Sequence, residues 1–358
     1  MLVFYILLLI PLAMQHFSIK GIKFDYQKKN IRALAFFFIF LTILVMLRHE
    51  SIGNDTQNYI NKFVRYSNLN WGRVHQMSFE PGYSYINKII SLVTDEPQVF
   101  LGITAVITSA LIFPTYKRLC VDSSLTIVLF CVMSTFTMMF SGIRQMLAIG
   151  IGFVAYEFTR KKKLIPFVFA VLLAMTFHTS AFMLVFMYPL YHAKITQKWL
   201  LAVVPSLAVV YVFNVQIFSF LSLFIERYTE YNTKITETGA YTMIILFAAF
   251  AVFSFLVTDE SSLDSETIGL RNFLLFALVL QMFAPLHSLA MRMNYYYIIF
   301  IPLLLPKIIE HRSERWKQVA KVGRNVMVVF FLVYFFVNAY GGAGLKVFPY
   351  HFFWEKVI

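Results

Sequence analysis

Cysteine is nearly absent. The chain of 358 residues has only Cys120 and Cys131, and helix between them would hold them about 16 Å apart, beyond disulfide reach. No disulfide or redox framework follows. Charged residues are scarce as well, at 14% against roughly a quarter in a soluble domain, while 59% are hydrophobic, a balance that excludes an ordinary water-soluble fold. His16, His49, His75, His192, His287, His311 and His351 make no spacing typical of a metal site. The sequence also lacks a glycine-rich phosphate loop, a nucleophile elbow and a Cys–His pairing, so neither nucleotide hydrolysis nor a cofactor is expected. The net charge of +13 comes from short basic clusters between apolar runs, where anionic headgroups and the insertion machinery meet them. Nucleic acid is therefore not an expected partner, and membrane lipid is.

Apolar runs of a length suited to a hydrocarbon core of about 30 Å recur along the whole chain. Breaking it at charge clusters and at Pro, Gly and Asn punctuation predicts an all-α integral membrane protein of about twelve spans. They cover residues 2–17, 33–47, 99–116, 124–142, 145–159, 164–177, 179–191, 199–223, 241–257, 268–286, 293–306 and 325–341. The first run lacks a basic start, so it reads as a retained span rather than a signal peptide. Alternate loops hold twenty of the 31 Lys and Arg residues, which makes those loops cytoplasmic and places both termini outside. The whole chain reads as one polytopic domain. Its largest external segment is 48–98, polar early and amphipathic late, and expected to fold back on the membrane surface. A second external loop covers 225–240, and an external tail, 341–358, carries Phe, Tyr and Trp suited to the interface.

Orientation gathers Arg48, Asp55, Glu80, Arg144, His178, His287 and Arg292 on one side. A charge in a span is expensive and wants a partner, although an interfacial anchor is the plain alternative for each. Arg144, in Gly142-Ile143-Arg144-Gln145, opens a helix whose N-terminus is already partly positive. An anion would relieve that repulsion, and backbone N–H groups with a guanidinium suit phosphate. Arg292 occupies the same position on a later helix, so the pair points to a diphosphate. Bonding of each arginine to a nearby carbonyl or carboxylate is the competing account. His178 lies in an outer turn where an imidazole can exchange protons near neutral pH. Asp55 and Glu80 sit beside Gly and Pro in fixed turns, able to accept a hydroxyl proton or to pair with an arginine.

Five blocks then carry a resemblance, in order, over most of the chain. Arg48 with Ile52-Gly53-Asn54-Asp55 and Tyr59 is the first, and Phe79-Glu80-Pro81-Gly82-Tyr83 the second. Gly142 to Ala148, Phe177-His178-Thr179-Ser180-Ala181 and Arg292 to Tyr297 complete the set. In these blocks the sequence resembles the EpsG-type branch of the Wzy-like polysaccharide polymerases. The resemblance implies a GT-C-like membrane glycosyltransferase that lengthens an O-antigen, capsular or exopolysaccharide chain outside the bacterial plasma membrane. It implies donor and acceptor glycans linked to undecaprenyl diphosphate, and no metal or nucleotide sugar. Arg48, Arg144 and Arg292 would hold the diphosphate, and His178, Asp55 or Glu80 would handle the acceptor proton, with His178 ranked first. A chain-length regulator and a flippase are partners in keeping with it. An O-antigen ligase or O-acyltransferase would share this sidedness. A lipid or solute transporter would want ionisable residues deeper in its spans, where only Glu157 and Arg271 come close.

Overall fold

The computed structural model describes residues 1–16, 26–222, 238–286, 288–342 and 344–357, which are helices and turns with no strand among them. In chain order the helices are α1 (Leu2–His16), α2 (Tyr26–Leu47), α3 (Thr56–Ser67), α4 (Pro81–Ile90), α5 (Pro97–Leu119), α6 (Ser123–Val132), α7 (Ser134–Ser141), α8 (Ile143–Arg160) and α9 (Leu164–Met175). There follow α10 (Met187–His192), α11 (Leu200–Val212), α12 (Asn214–Ser222), α13 (Thr238–Leu256), α14 (Ser265–Gln281), α15 (Ser288–Ile298), α16 (Ile301–Glu310) and α17 (Lys317–Tyr340). They form two compact units, one of Met1–Val185 with Gly323–Ile358 and one of Phe186–Val322.

In the first unit α2 packs on α1 and α5, and α8 packs on α5 and α9. Small residues make the approaches close. A Cβ on Gly102 would stand 3.0 Å from the Met46 methyl, and one on Gly150 would stand 2.9 Å from Leu111. The Thr42 hydroxyl donates to Ser109 Oγ at 2.6 Å, joining α2 to α5. Pro97 starts α5 without wasting an amide proton, and Lys117 and Arg118 close it, where cations complement the helix dipole.

Each of the twelve apolar segments contains helix, but length separates them. Tyr26–Leu47, Pro97–Leu119 and Glu314–Tyr340 are long and apolar enough to cross a membrane. The twelve residues of α9 rise only about 18 Å. The run 124–142, read as one span, is α6 and α7 bent by 65°. The bend falls at Met133, whose ψ of 145° is extended, with no Pro or Gly to announce it. α11 and α12 are bent likewise, by 75°. With each bent pair counted as one span, up to five candidate crossings stand among the described residues by length and composition.

Segment 48–98 is built rather than loose. Tyr59, Phe63 and Tyr66 of α3 and Tyr83 and Ile90 of α4 are buried, the Tyr66 hydroxyl meets Ser84 Oγ at 2.7 Å, and the Phe63 ring stacks on Phe100 of α5 at 4.4 Å. The tail is docked too. His49 N donates to His351 O at 2.9 Å, Phe353 N to Leu47 O at 2.9 Å and Gly53 N to Lys346 O at 3.1 Å. Val347, Phe348 and Tyr350 are buried, leaving Phe353 and Trp354 exposed. Of the predicted loop 225–240, residues 225–237 lie outside the described residues and 238–240 open α13.

The second unit centres on α14, which packs against α10, α13, α15 and α16. Arg271 is fully buried there, 3.9 Å from the Phe255 ring centroid. Its Nη2 donates to Ile195 O at 2.9 Å and Glu260 Oε2 at 3.0 Å.

Candidate functional site

Three glycines bring the site together. Gly53 has φ of +86°, and a Cβ there would meet the Phe140 carbonyl at 2.4 Å, so only glycine allows the turn before α3. Gly82 backs onto the end of α9, where a Cβ would lie 2.2 Å from Thr176 Oγ1. Tyr83 N donates to Thr176 O at 3.2 Å in the same contact. Gly142 separates α7 from α8 and places Arg144 in the first turn of α8.

The Gly82 contact carries Glu80 to the turn after α9. Glu80 Oε1 accepts from Thr179 N at 3.1 Å and from Thr179 Oγ1 at 3.2 Å, while Oε2 pairs with Arg144 Nη1. The anion beside the α8 N-terminus is thus a carboxylate of the chain itself. The Arg144 guanidinium also lies 4.2 Å from the Phe79 ring centroid and is hydrogen-bonded to Tyr59. Tyr59 packs edge-on against Tyr83 at 5.8 Å. Arg144 Nε and the Tyr83 hydroxyl are buried without a hydrogen-bond partner among the described residues. The ion pair itself is partly open, with side-chain exposures of 21% for Arg144 and 13% for Glu80.

Burial pushes the Glu80 carboxyl up, but the charge of Arg144 and hydrogen bonds from the backbone and Thr179 outweigh it and hold the pKa below the ordinary 4.5. Glu80 is therefore ionised at neutral pH with both oxygens engaged. Such a group orients its neighbours better than it takes up a proton.

His178 stands one residue before Thr179, half-buried. Its Nδ1 lies 2.7 Å from Ser180 Oγ and accepts from Ser180 N at 3.3 Å. A backbone N–H can only donate, so in the neutral ring this contact leaves the proton on Nε2. Asp55 precedes α3 without capping it. Its half-buried carboxylate makes no hydrogen bond among the described residues and is near enough to Tyr59 to act on it electrostatically.

Arg48 is completely enclosed. Its Nη1 donates to Val45 O and its Nε to Thr56 Oγ1 at 3.4 Å. Nη2 has no partner among the described residues, and Phe352 of the docked tail pairs with the Arg48 backbone. Burial lowers its pKa to about 10, which leaves it charged at neutral pH. Arg292 belongs to the second unit, exposed on α15. His287 lies outside the described residues.

The structure thus joins Glu80, Arg144 and the His178 turn directly, with Asp55 and Arg48 at the Tyr59 and Tyr83 rings. Tyr59 and Thr179 are the partners that local reading missed as site residues. Their signal was membership of the same sequence blocks as Asp55 and His178.

Long apolar helices and a charged cluster set among them define a polytopic helical membrane protein. The chain belongs to the EpsG family, whose family model matches residues 31–352 and so takes in every site residue above. No curated protein and no solved structure matches it.

Proposed function

We propose that the chain is a polysaccharide repeat-unit polymerase of GT-C-like architecture with about twelve crossings. It transfers a growing glycan from undecaprenyl diphosphate to a lipid-linked repeat unit on the outer face of the bacterial plasma membrane. Family membership supports the polymerase. The observation that carries the chemistry is Arg144, held by Glu80, Tyr59 and Phe79 in a partly open position at a helix N-terminus. A guanidinium so placed still has donors for an incoming anion.

In this reaction the acceptor hydroxyl oxygen forms a bond to the anomeric carbon, and the bond from that carbon to the diphosphate oxygen breaks. The undecaprenyl diphosphate departs with the electron pair. Arg144 stabilises the charge that develops on it, the enclosed Arg48 adds positive charge behind the Tyr59 and Tyr83 rings, and guanidinium supplies the neutralisation that a metal would otherwise provide. Glu80 keeps Arg144 in place. The acceptor proton goes to His178 or Asp55. His178 can take it at Nδ1 on giving up the 3.3 Å contact with Ser180 N, or Asp55 can take it on a carboxylate with no other hydrogen bond. Lipid-linked glycans are the substrates, and a flippase and a chain-length regulator fit as neighbours in the same membrane.

The test is electrophoresis of surface glycan from a deletion strain carrying wild-type, Arg144→Ala or His178→Ala copies at matched protein level. The polymerase reading expects a ladder with wild type and single repeat units with the variants. An unchanged ladder in the deletion strain sinks it. Loss of single units as well would point to a flippase or ligase, and wild-type polymer length from His178→Ala would remove His178 from proton transfer.

A further inference from the structure

Helix α4 keeps two kinds of company. Tyr83, Asn87 and Ile90 are buried, with Tyr83 and Ile90 in one apolar cluster alongside Tyr59, Phe100 and Ile143. Tyr85, Ile89, Leu92 and Val93 face outward, the last two 65% and 81% exposed. Residues 85, 89, 92 and 93 follow the i, i+4, i+7, i+8 spacing of a single helical stripe. The turns Leu92 N to Ile89 O, at 3.1 Å, and Val93 N to Ile90 O, at 2.9 Å, carry that stripe past the end of α4. Four outward apolar side chains in a row are out of place in a segment facing water alone.

What covers them follows from where the chain goes next. Val93 is separated from Pro97 by three residues, and Pro97 begins a helix long and apolar enough to cross the membrane. Val99 and Val106 continue an exposed apolar surface down that helix. The stripe therefore meets the boundary of the membrane-crossing surface, the depth at which an amphipathic helix lies with its apolar side in the headgroup and acyl layer.

The other end of α4 is the site. Glu80 immediately precedes Pro81, and the Gly82 and Tyr83 contacts with Thr176 fix that end by backbone. The ten residues of α4 span about 15 Å, so the lipid-facing stripe and the Glu80–Arg144 pair are two ends of one short rigid element.

We propose that α4 is an interfacial helix. Its Tyr85–Ile89–Leu92–Val93 stripe sits in the leaflet at the Arg48 end of α2 and holds the Glu80–Arg144 pair at headgroup depth, where a lipid-linked diphosphate lies. The membrane contact stands on the geometry alone, and its purpose rests on the polymerase reading.

Nitroxide labels on Ile89→Cys, Val93→Cys and the polar-loop control Arg73→Cys, with full-length protein in phosphatidylcholine nanodiscs, test the contact. The expected result is that labels at 89 and 93 collide with oxygen more than with a water-soluble nickel complex, and that the label at 73 does the reverse. Labels at 89 and 93 that behave like the one at 73 would overturn the membrane contact. Function is read separately, from the glycan ladder of a Leu92→Glu, Val93→Glu protein matched in level to a Leu92→Ile, Val93→Ile control. Displacing the pair should reduce polymer about tenfold or more in the glutamate protein, with the control retaining it. An unchanged ladder would overturn the role of α4 in holding the site. The label result is independent of glycan synthesis, and the ladder comparison is read in a deletion strain that has lost its own ladder, so failure of this inference is distinct from failure of the polymerase reading.

Discussion

Asn30 and Arg48 mark the two ends of α2, roughly 27 Å apart along its axis, and both are buried, yet they are satisfied in opposite ways. Asn30 Oδ1 accepts from Gln15 Nε2 at 2.7 Å and from Ser123 N and Oγ at 3.0 Å each, and its Nδ2 donates to Val121 O at 2.9 Å. The neighbouring Asp122 takes Arg324 Nε at 2.7 Å and Nη2 at 3.1 Å, and also caps α6 through Leu125 N. That network ties α1, α2, α6 and α17 together with its capacity filled. Around Arg48, by contrast, Arg48 Nη2, Tyr83 Oη and Arg144 Nε lack partners among the described residues. Buried donors left over are costly. The saturated network stabilises the fold, whereas the unsaturated one lies next to the open ion pair of the proposed site.

The largest effect is expected from Arg144→Ala. Polymer should fall by about 10²- to 10³-fold with the protein level unchanged on a blot, since the guanidinium acts on the reaction and the helix around it is held by other contacts. Glu80→Gln should be milder, with a loss of about 10- to 100-fold, because the amide keeps the shape and the Thr179 contact but loses the ion pair. At the saturated end, Asp122→Ala strands Arg324. It should cost about 2 kcal/mol, read as a lower melting temperature in detergent, while polymer formed per folded molecule stays at the wild-type level.

Two smaller effects are expected at the Arg144 end. The folded Glu80 carboxyl titrates below its ordinary value of 4.5. Its contribution to stability is therefore complete above about pH 4.5 and lost as pH falls through the lower folded value. The melting temperature of wild type should drop over that acidic window more than that of Glu80→Gln. The smallest effect expected is none at all. Polymerisation by isolated membranes should survive a strong chelator, and a loss restored by added divalent metal would remove the arginines from their proposed place.

Much of this was legible locally. Charge clusters and apolar runs marked the apolar helical segments but not α3, and Gly53 and Gly82 announced turns. What the glycines approach was not legible, because Gly82 is needed for Thr176 and Gly53 for Phe140, far away in the chain. Arg144 was readable as a cation wanting an anion and Glu80 as a carboxylate able to pair with an arginine, but not that these two, 64 residues apart, would find each other. The tail looked interfacial from its aromatic content. Only backbone bonds to residues near 47–53 turn it into the cover over Arg48. The break at Met133 had no sequence mark, since its cause is an extended backbone angle rather than a Pro or Gly.

If Arg144 receives the diphosphate, purified protein in nanodiscs should retain radiolabelled undecaprenyl diphosphate through that guanidinium. Wild type and folded Asp122→Ala should bind alike, with Arg144→Ala at least about tenfold weaker. Equal affinity for all three would mean that the diphosphate binds without Arg144.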